Sequence, residues 1–157
     1  SPETAYQMTS ILEGVVLRGT GKGLKNLNLV LGGKTGTTNK NTDTWFIGFT
    51  SNLVVGVYVG HDNPKSLGKK ETGSRTAMPI FKEFIKNATN NYEARPFKIP
   101  KNIKMVVLDP VTGKKADFNS KETIIESFKK EKIESNLNIG IDSVGYKSGK
   151  NNILKFY

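Results

Sequence analysis

Cysteine is absent from this 157-residue chain, and histidine occurs only once, at His61. Without cysteine the chain forms no disulfide and offers no thiolate ligand, and one histidine is too few for a multi-histidine metal site. We therefore expect no metal centre, and no cofactor is expected. Oxidising and reducing compartments are both compatible with a chain that lacks cysteine.

Long hydrophobic runs are also missing. The longest apolar stretch, residues 53–60, is far shorter than the roughly 20 apolar residues that cross a bilayer as a helix. The first residues, S-P-E-T, have neither the basic region nor the apolar region of a signal peptide. We therefore expect any membrane anchor to be specified by residues outside this chain.

Arginine is scarce although the net charge is +10. Of the 24 basic residues only three, Arg18, Arg75 and Arg95, are arginine, and the others are lysine. Direct base readout relies on arginine forks, and RNA-binding modules add an aromatic platform. Neither pattern is present, so we expect no specific nucleic-acid partner. The abundance of lysine together with asparagine and isoleucine indicates a compositional bias of the source genome, and this bias would account for the positive charge. A non-catalytic module that binds an anionic polymer remains an alternative.

Hydrophobic periodicity predicts two helices and three strands in residues 1–90. Residues 2–18 repeat apolar side chains at helical spacing, and residues 76–89 do so again. Residues 30–38, 44–50 and 53–61 are predicted strands, and their short connections require antiparallel neighbours. We assign Gly48, Gly56 and Gly60 to one face of the sheet, where they predict a closely packed helix.

Residues 91–157 are predicted to form a linker and a small C-terminal extension. Pro96 and Pro100 mark the linker. Residues 102–108 and 114–118 are predicted to pair as a hairpin around the turn D-P-V-T-G. Ser120 is predicted to cap a short helix, and one terminal strand is predicted within residues 133–157.

The segment L-G-G-K-T-G-T-T at residues 31–38 carries the chemistry. A phosphate-binding P-loop requires a glycine where this chain has Asn28, and it opens a helix rather than a strand. An edge strand that holds a carboxylate fits better, because Lys34 and two threonine hydroxyls can neutralise an anion. Gly36 would let a ligand lie against the strand, and a free backbone N–H can stabilise an oxyanion.

The motifs surrounding this segment resemble a known family. G-K-T-G-T-T-N, followed by D-T-W-F-I-G-F-T, L-V-V-G-V-Y-V-G and E-T-G-S-R-T-A-M-P-I-F, resembles the C-terminal part of class A penicillin-binding proteins, which are bifunctional peptidoglycan synthases. The opening A-Y-Q-M-T-S-I-L-E-G-V-V-L-R-G-T-G resembles the helix that precedes the K-T-G motif in that family. The resemblance covers roughly residues 1–88 and fades beyond residue 132.

The resemblance implies an α+β fold of the serine β-lactamase and transpeptidase type, an antiparallel sheet flanked by helices. Residues 1–90 would be the C-terminal part of a D,D-transpeptidase domain. Lys34 would orient protons and supply positive potential. Thr35 and Thr37 would hold the carboxylate of a D-Ala-D-Ala stem peptide or a β-lactam, and the Thr37 N–H would form half of the oxyanion hole. Gly36 would allow close approach of the ligand.

The family's other two motifs, S-x-x-K and S-x-N, are expected outside this chain. S-x-N does not occur, and S-x-x-K occurs at Ser66 and Ser127, both after the K-T-G motif instead of before it. Two matches are unremarkable in so lysine-rich a chain. We therefore expect the isolated chain to be inactive and to have the upstream part of the same transpeptidase domain as its partner. A β-lactamase-type hydrolase fragment is a second alternative.

The resemblance also implies a place in the cell. The parent protein would lie at the periplasmic face of the bacterial inner membrane, anchored by a region outside this chain. Other cell-wall synthesis proteins would be potential partners.

Overall fold

The computed structural model describes residues 1–89 and 95–131. A short 3₁₀ helix follows the first α-helix, and the remaining elements are strands and one further helix. In chain order they are α1 (Pro2–Leu17), the 3₁₀ helix (Lys22–Leu27), β1 (Gly32–Thr37), β2 (Asp43–Phe49), β3 (Val54–Gly60), α2 (Ala77–Ala88), β4 (Ile103–Leu108) and β5 (Ile124–Lys129). The predicted α+β class with antiparallel sheets is confirmed.

Helix α1 begins and ends where its sequence predicts. The Ser1 hydroxyl accepts a hydrogen bond from the Thr4 N–H at 3.4 Å, and Pro2 occupies the first turn, where its missing N–H is not needed. At the other end the Gly21 N–H donates to the Val15 carbonyl at 2.9 Å. This bond closes the helix, and the 3₁₀ helix then buries Leu24 in the core.

Strands β1, β2 and β3 form one antiparallel sheet in that order. Thr35 lies opposite Phe46, and Phe46 lies opposite Val57. Because directly opposed residues share a face, the register defines two faces. We call inner the face with Thr35, Thr37, Thr44, Phe46, Gly48, Val55, Val57 and Val59, and outer the face with Lys34, Gly36, Trp45, Ile47, Val54, Gly56 and Tyr58.

Helix α2 covers the inner face. Phe81 and Ile85 are fully buried, and the Phe81 ring lies 4.8 Å from the Phe46 ring, centroid to centroid. A Cβ on Gly48 would lie 2.5 Å from the Phe81 ring, so this glycine allows the helix to approach the sheet. Val16, Leu24 and Leu31 complete the same core.

The predicted face for the helix is therefore wrong for two of the three glycines. Gly48 lies opposite Val55, whereas Gly56 lies opposite Ile47 and Gly60 opposite Asp43. Adding one β-carbon at Gly56 would bring it no closer than 3.8 Å to a neighbour. The error lies in the register between β2 and β3, because a shift of one residue in the pairing moves a glycine to the other face of the sheet.

The chain divides into two compact units, Thr9–Phe97 and Ser1–Met8 with Lys98–Tyr157. In the second unit β4 pairs antiparallel with β5. Val106 and Leu108 form its small core, with Ile124 and Phe128 packed against them. The Gln7 side chain donates a hydrogen bond to the Ser127 carbonyl at 3.0 Å.

Two predictions for this region are wrong. Residues 114–118 are not a strand, since only Lys115 forms an isolated bridge to Leu108. The segment after Ser120 is strand β5, not a helix. A short apolar run fits either structure by its pattern alone, and here the pairing with β4 decides. The predicted terminal strand lies outside the described residues.

None of the helices in residues 1–89 and 95–131 is both long and apolar enough to span a membrane.

Candidate active site

Strand β1 lies at the edge of its sheet and carries the K-T-G motif. In the part of the chain that the structure describes, β1 pairs with β2 on one side only. We call the opposite side the free edge of β1. Lys34 and Gly36 belong to the outer face and Thr35 and Thr37 to the inner face, as strand alternation predicts.

The backbone of β1 directs two threonine N–H groups toward the free edge. The Thr38 N–H donates to the Asp43 carbonyl at 3.1 Å, so Thr38 faces β2. In an antiparallel strand the N–H and C=O groups of alternate residues point to opposite sides. The N–H and C=O groups of Gly36 therefore also point toward β2, whereas those of Thr35 and Thr37 point toward the free edge.

The Lys34 amine lies at this same edge. Its Nζ donates a hydrogen bond to the Thr35 carbonyl at 2.9 Å, and that carbonyl faces away from β2. The side chain is exposed, so the ammonium group is available to an incoming anion. A positive charge, two hydroxyls and a backbone donor thus lie within the four residues from Lys34 to Thr37 of one strand.

The glycine of the motif avoids a tight contact on the outer face. A Cβ on Gly36 would lie 3.2 Å from the Trp45 Cβ on the neighbouring strand, closer than an ordinary contact. Any larger side chain at this position would also thicken the strand beside its free edge. The absence of a side chain leaves the backbone of β1 accessible between Lys34 and Thr37.

Thr38 stabilises the turn and does not point to the edge. Its hydroxyl accepts hydrogen bonds from the Thr42 N–H and the Asp43 N–H, each at 3.0 Å. These bonds close the connection between β1 and β2. Thr38 therefore ends the strand, as the sequence predicts.

Two contacts to the threonines were not predicted from the sequence. The Gly73 N–H donates to the Thr37 hydroxyl at 2.9 Å, and the Thr20 hydroxyl lies 3.4 Å from the Thr35 hydroxyl. Gly73 belongs to the segment E-T-G-S-R at residues 71–75, which lies in the connection between β3 and α2. Its distance from the motif along the chain, 36 residues between Thr37 and Gly73, gives no local signal for the contact.

The two S-x-x-K matches lie in unsuitable places for a nucleophile. Ser66 is exposed in the segment after β3, and its hydroxyl accepts a hydrogen bond from the Gly68 N–H at 3.2 Å. Ser127 is buried within β5. Neither serine opens a helix, and both follow the K-T-G motif, whereas the resemblance places the nucleophile before it.

A group of polar side chains ends the outer face. The Tyr58 hydroxyl donates to the Asp43 carboxylate at 2.6 Å, and the Thr42 hydroxyl donates to its other oxygen at 2.7 Å. Both hydrogen bonds lower the pKa of Asp43, and the bond from Tyr58 has the larger effect. The bond between Tyr58 and Asp43 also raises the pKa of Tyr58. The Tyr58 ring packs on the Trp45 ring with centroids 4.9 Å apart.

The described residues contain no group of three or more His, Cys, Asp or Glu side chains that could hold a metal ion. The donors at the edge of β1 are instead an ammonium, hydroxyls and N–H groups. Such a set suits an anion, and in particular a carboxylate.

An antiparallel sheet covered by a C-terminal helix, with K-T-G on its edge strand, is the arrangement of serine acyl-transfer domains that bind penicillin. The family model described as penicillin binding protein transpeptidase domain matches residues 1–86. The chain belongs to this family.

Individual relatives place the chain within the family. It is 48% identical over 129 residues to penicillin-binding protein 1A of Rickettsia conorii, covering 82% of this chain and 16% of the relative. It is 39% identical over 138 residues to penicillin-binding protein 1A of Pseudomonas aeruginosa, covering 86% of this chain and 16% of that relative. The chain therefore corresponds to about a sixth of these proteins.

A solved structure shares the fold. The crystal structure of penicillin-binding protein 1A from Haemophilus influenzae superimposes with a TM-score of 0.70 at 30% sequence identity, covering 79% of this chain and 20% of that chain. The predicted family and the predicted transpeptidase-like fold are thereby confirmed.

Proposed function

We propose that this chain supplies the carboxylate-binding edge strand of a serine D,D-transpeptidase that cross-links peptidoglycan stem peptides and is acylated by β-lactams. The observation that carries the proposal is the convergence at the free edge of β1. The Lys34 ammonium, the Thr35 and Thr37 hydroxyls and the outward Thr37 N–H all lie within one short stretch.

Each group has a role in acyl transfer. The terminal carboxylate of the donor peptide binds the Thr35 and Thr37 hydroxyls, with the positive potential of Lys34 beside them. A serine attacks the penultimate D-Ala carbonyl, and the oxygen of the tetrahedral intermediate accepts a hydrogen bond from the Thr37 N–H. D-Ala then leaves, and the amine of a neighbouring stem peptide attacks the acyl-enzyme. Loss of one oxyanion donor in such enzymes costs roughly 3–4 kcal/mol of transition-state stabilisation.

The nucleophile in this proposal belongs to another part of the parent protein, because Ser66 and Ser127 do not occupy suitable positions. The parent is proposed to act at the periplasmic face of the inner membrane, where its substrate lies. Other cell-wall synthesis proteins are proposed as its partners.

Labelling of the full-length parent with a fluorescent penicillin tests the proposal. We expect Lys34→Ala to abolish covalent labelling, because the site loses its positive charge and its proton relay. Lys69→Ala is the matched control: Lys69 is an exposed lysine in the segment after β3 and belongs to the rejected S-x-x-K match, so labelling should persist.

Three results would contradict the proposal. Unchanged labelling of Lys34→Ala would refute the role of Lys34. Covalent labelling of the isolated 157-residue chain would refute a nucleophile elsewhere. Salt-dependent retention on nucleic acid or glycan that Lys34→Ala leaves unchanged, together with no penicillin labelling of the parent, would favour the anionic-polymer module.

A further inference from the structure

The segment between β3 and α2 holds a rigid turn against the motif strand. We call residues 71–75 the Gly73 turn. The Thr72 carbonyl accepts hydrogen bonds from the Arg75 and Thr76 N–H groups, each at 2.9 Å, and the Gly73 carbonyl accepts one from the Met78 N–H at 2.8 Å. The turn is therefore continuous with the first turn of α2, whose buried side chains fix it to the sheet.

The Gly73 N–H points at the Thr37 hydroxyl and donates to it at 2.9 Å. A hydroxyl has one hydrogen to donate and two lone pairs that accept. With a lone pair directed at Gly73, the hydroxyl hydrogen of Thr37 must point in another direction. Thr37 is exposed, so that hydrogen is presented to a ligand.

Space beside the strand admits only glycine at position 73. A Cβ there would collide with the Trp45 carbonyl oxygen and lie 2.8 Å from the Gly36 carbonyl oxygen. Both are backbone atoms of the paired strands β1 and β2, which cannot move aside. A side chain at position 73 would therefore push the turn off the strand and lengthen the hydrogen bond to Thr37.

We infer that Gly73 is a positioning residue that directs the Thr37 hydroxyl hydrogen toward the ligand, and so makes the site select a carboxylate over a neutral ester. The inference rests on the proposed function, because it concerns the ligand bound at the same edge. A carboxylate accepts the Thr37 hydrogen in a charge-assisted hydrogen bond. An ester at the same position is a weaker acceptor and gains less from the oriented hydroxyl.

The test compares acylation of the full-length parent by benzylpenicillin and by its methyl ester. The selectivity is the ratio of the two second-order acylation rates. We expect Gly73→Ala to lower this ratio roughly 10-fold, the size of effect that one hydrogen bond to a charged group can have. A purely structural role for Gly73 would slow both reactions alike and leave the ratio unchanged.

Gly56→Ala is the matched glycine control, since a Cβ there meets no atom closer than 3.8 Å; the ratio should stay at its wild-type value. The effect of Gly73→Ala should also disappear in the Thr37→Val background, where the hydroxyl is already gone. Persistence of the full effect in that background would overturn the inference, because Gly73 would then act by another route.

Replacement of Gly73 by glycolic acid covers the case in which Gly73→Ala fails to fold. This change removes the N–H and adds no atom beyond the ester oxygen, and the same fall in the ratio is expected. An unchanged ratio in this folded variant would overturn the inference while leaving the proposed function intact. A wild-type parent that neither ligand acylates would overturn the proposed function, and the inference with it.

Discussion

The two faces of the β1–β2–β3 sheet are made by the same three strands but have different surroundings. At the inner face, Phe46 of β2 and Phe81 of the covering helix α2 are 0% exposed, and their rings are in contact. On the outer face Trp45, Ile47 and Tyr58 are 44%, 48% and 49% exposed. The chain covers one face with its own helix and leaves large apolar side chains exposed on the other.

The difference separates stability from chemistry. The inner face buries apolar area, which is the main favourable term in folding, and its packing with α2 also places the Gly73 turn against Thr37. The outer face carries Lys34 and the group around Asp43. Substitutions of the buried apolar residues at the inner face should therefore change folding, whereas substitutions of the exposed polar residues, Thr37 of the motif among them, should change local charge and ligand chemistry.

The largest expected effect is the loss of the buried ring with which α2 packs on the inner face. Phe81→Ala removes a fully buried side chain and should lower the free energy of unfolding by about 3–5 kcal/mol. Ile47→Ala, on the outer face, should lower it by about 1 kcal/mol or less. Urea unfolding of the 157-residue chain measures both, and equal losses would remove the distinction between the faces.

Two buried threonines, one near the start of β2 and one directly after its end, should give smaller effects of opposite sign. The Thr50 hydroxyl accepts from the Leu53 N–H at 3.1 Å and donates to the Asn52 side chain at 3.0 Å. The Thr44 hydroxyl is buried and has no hydrogen-bond partner in the described part of the chain. The two residues therefore compare the contribution to stability of a hydrogen-bonded buried hydroxyl with that of an unpaired one.

Thr50→Val should therefore destabilise the chain by about 1–2 kcal/mol, because it leaves the turn donor unpaired. Thr44→Val keeps the shape of the side chain and removes an unpaired polar atom, so it should stabilise by about 1 kcal/mol. Thermal unfolding of the two variants provides the comparison. Destabilisation by Thr44→Val would mean that its hydroxyl has a partner.

The smallest expected effect is on the outer face and depends on pH. Because hydrogen bonds lower the pKa of Asp43 in the folded chain, its contribution to stability is present above the unfolded pKa and is lost as pH falls through the folded pKa. Tyr58→Phe removes the first of these bonds. We expect the Asp43 pKa to rise toward its ordinary value, so that its contribution to stability becomes smaller and its loss on acidification is complete at a higher pH.

An NMR titration of the Asp43 carboxyl carbon measures this shift directly. Tyr6→Phe is the control, because the Tyr6 hydroxyl donates to the Met105 sulfur at 3.9 Å and is not among the groups that lower the pKa of Asp43. An Asp43 pKa that does not change in Tyr58→Phe would show that the remaining hydrogen bonds suffice.

Prediction from the sequence succeeded where the signal was local. The bounds of α1, of the three strands and of α2 agree with the structure to within about two residues at each end, because periodicity and turn residues lie within each element. The position of β1 at the sheet edge followed from the same pattern. The second unit was predicted less well, since β5 is a strand only because β4 lies beside it.

The sequence by itself determined the family, the motif strand and the alternation that separates Lys34 from Thr35 and Thr37, because each of these depends on residues close together in the chain. Tertiary structure alone decided that Gly48 meets α2 while Gly56 faces outward, and that the Gly73 N–H binds the Thr37 hydroxyl. Both results depend on strand register and on packing between distant segments. Neither register nor packing between distant segments produces a periodic pattern of apolar residues in the sequence.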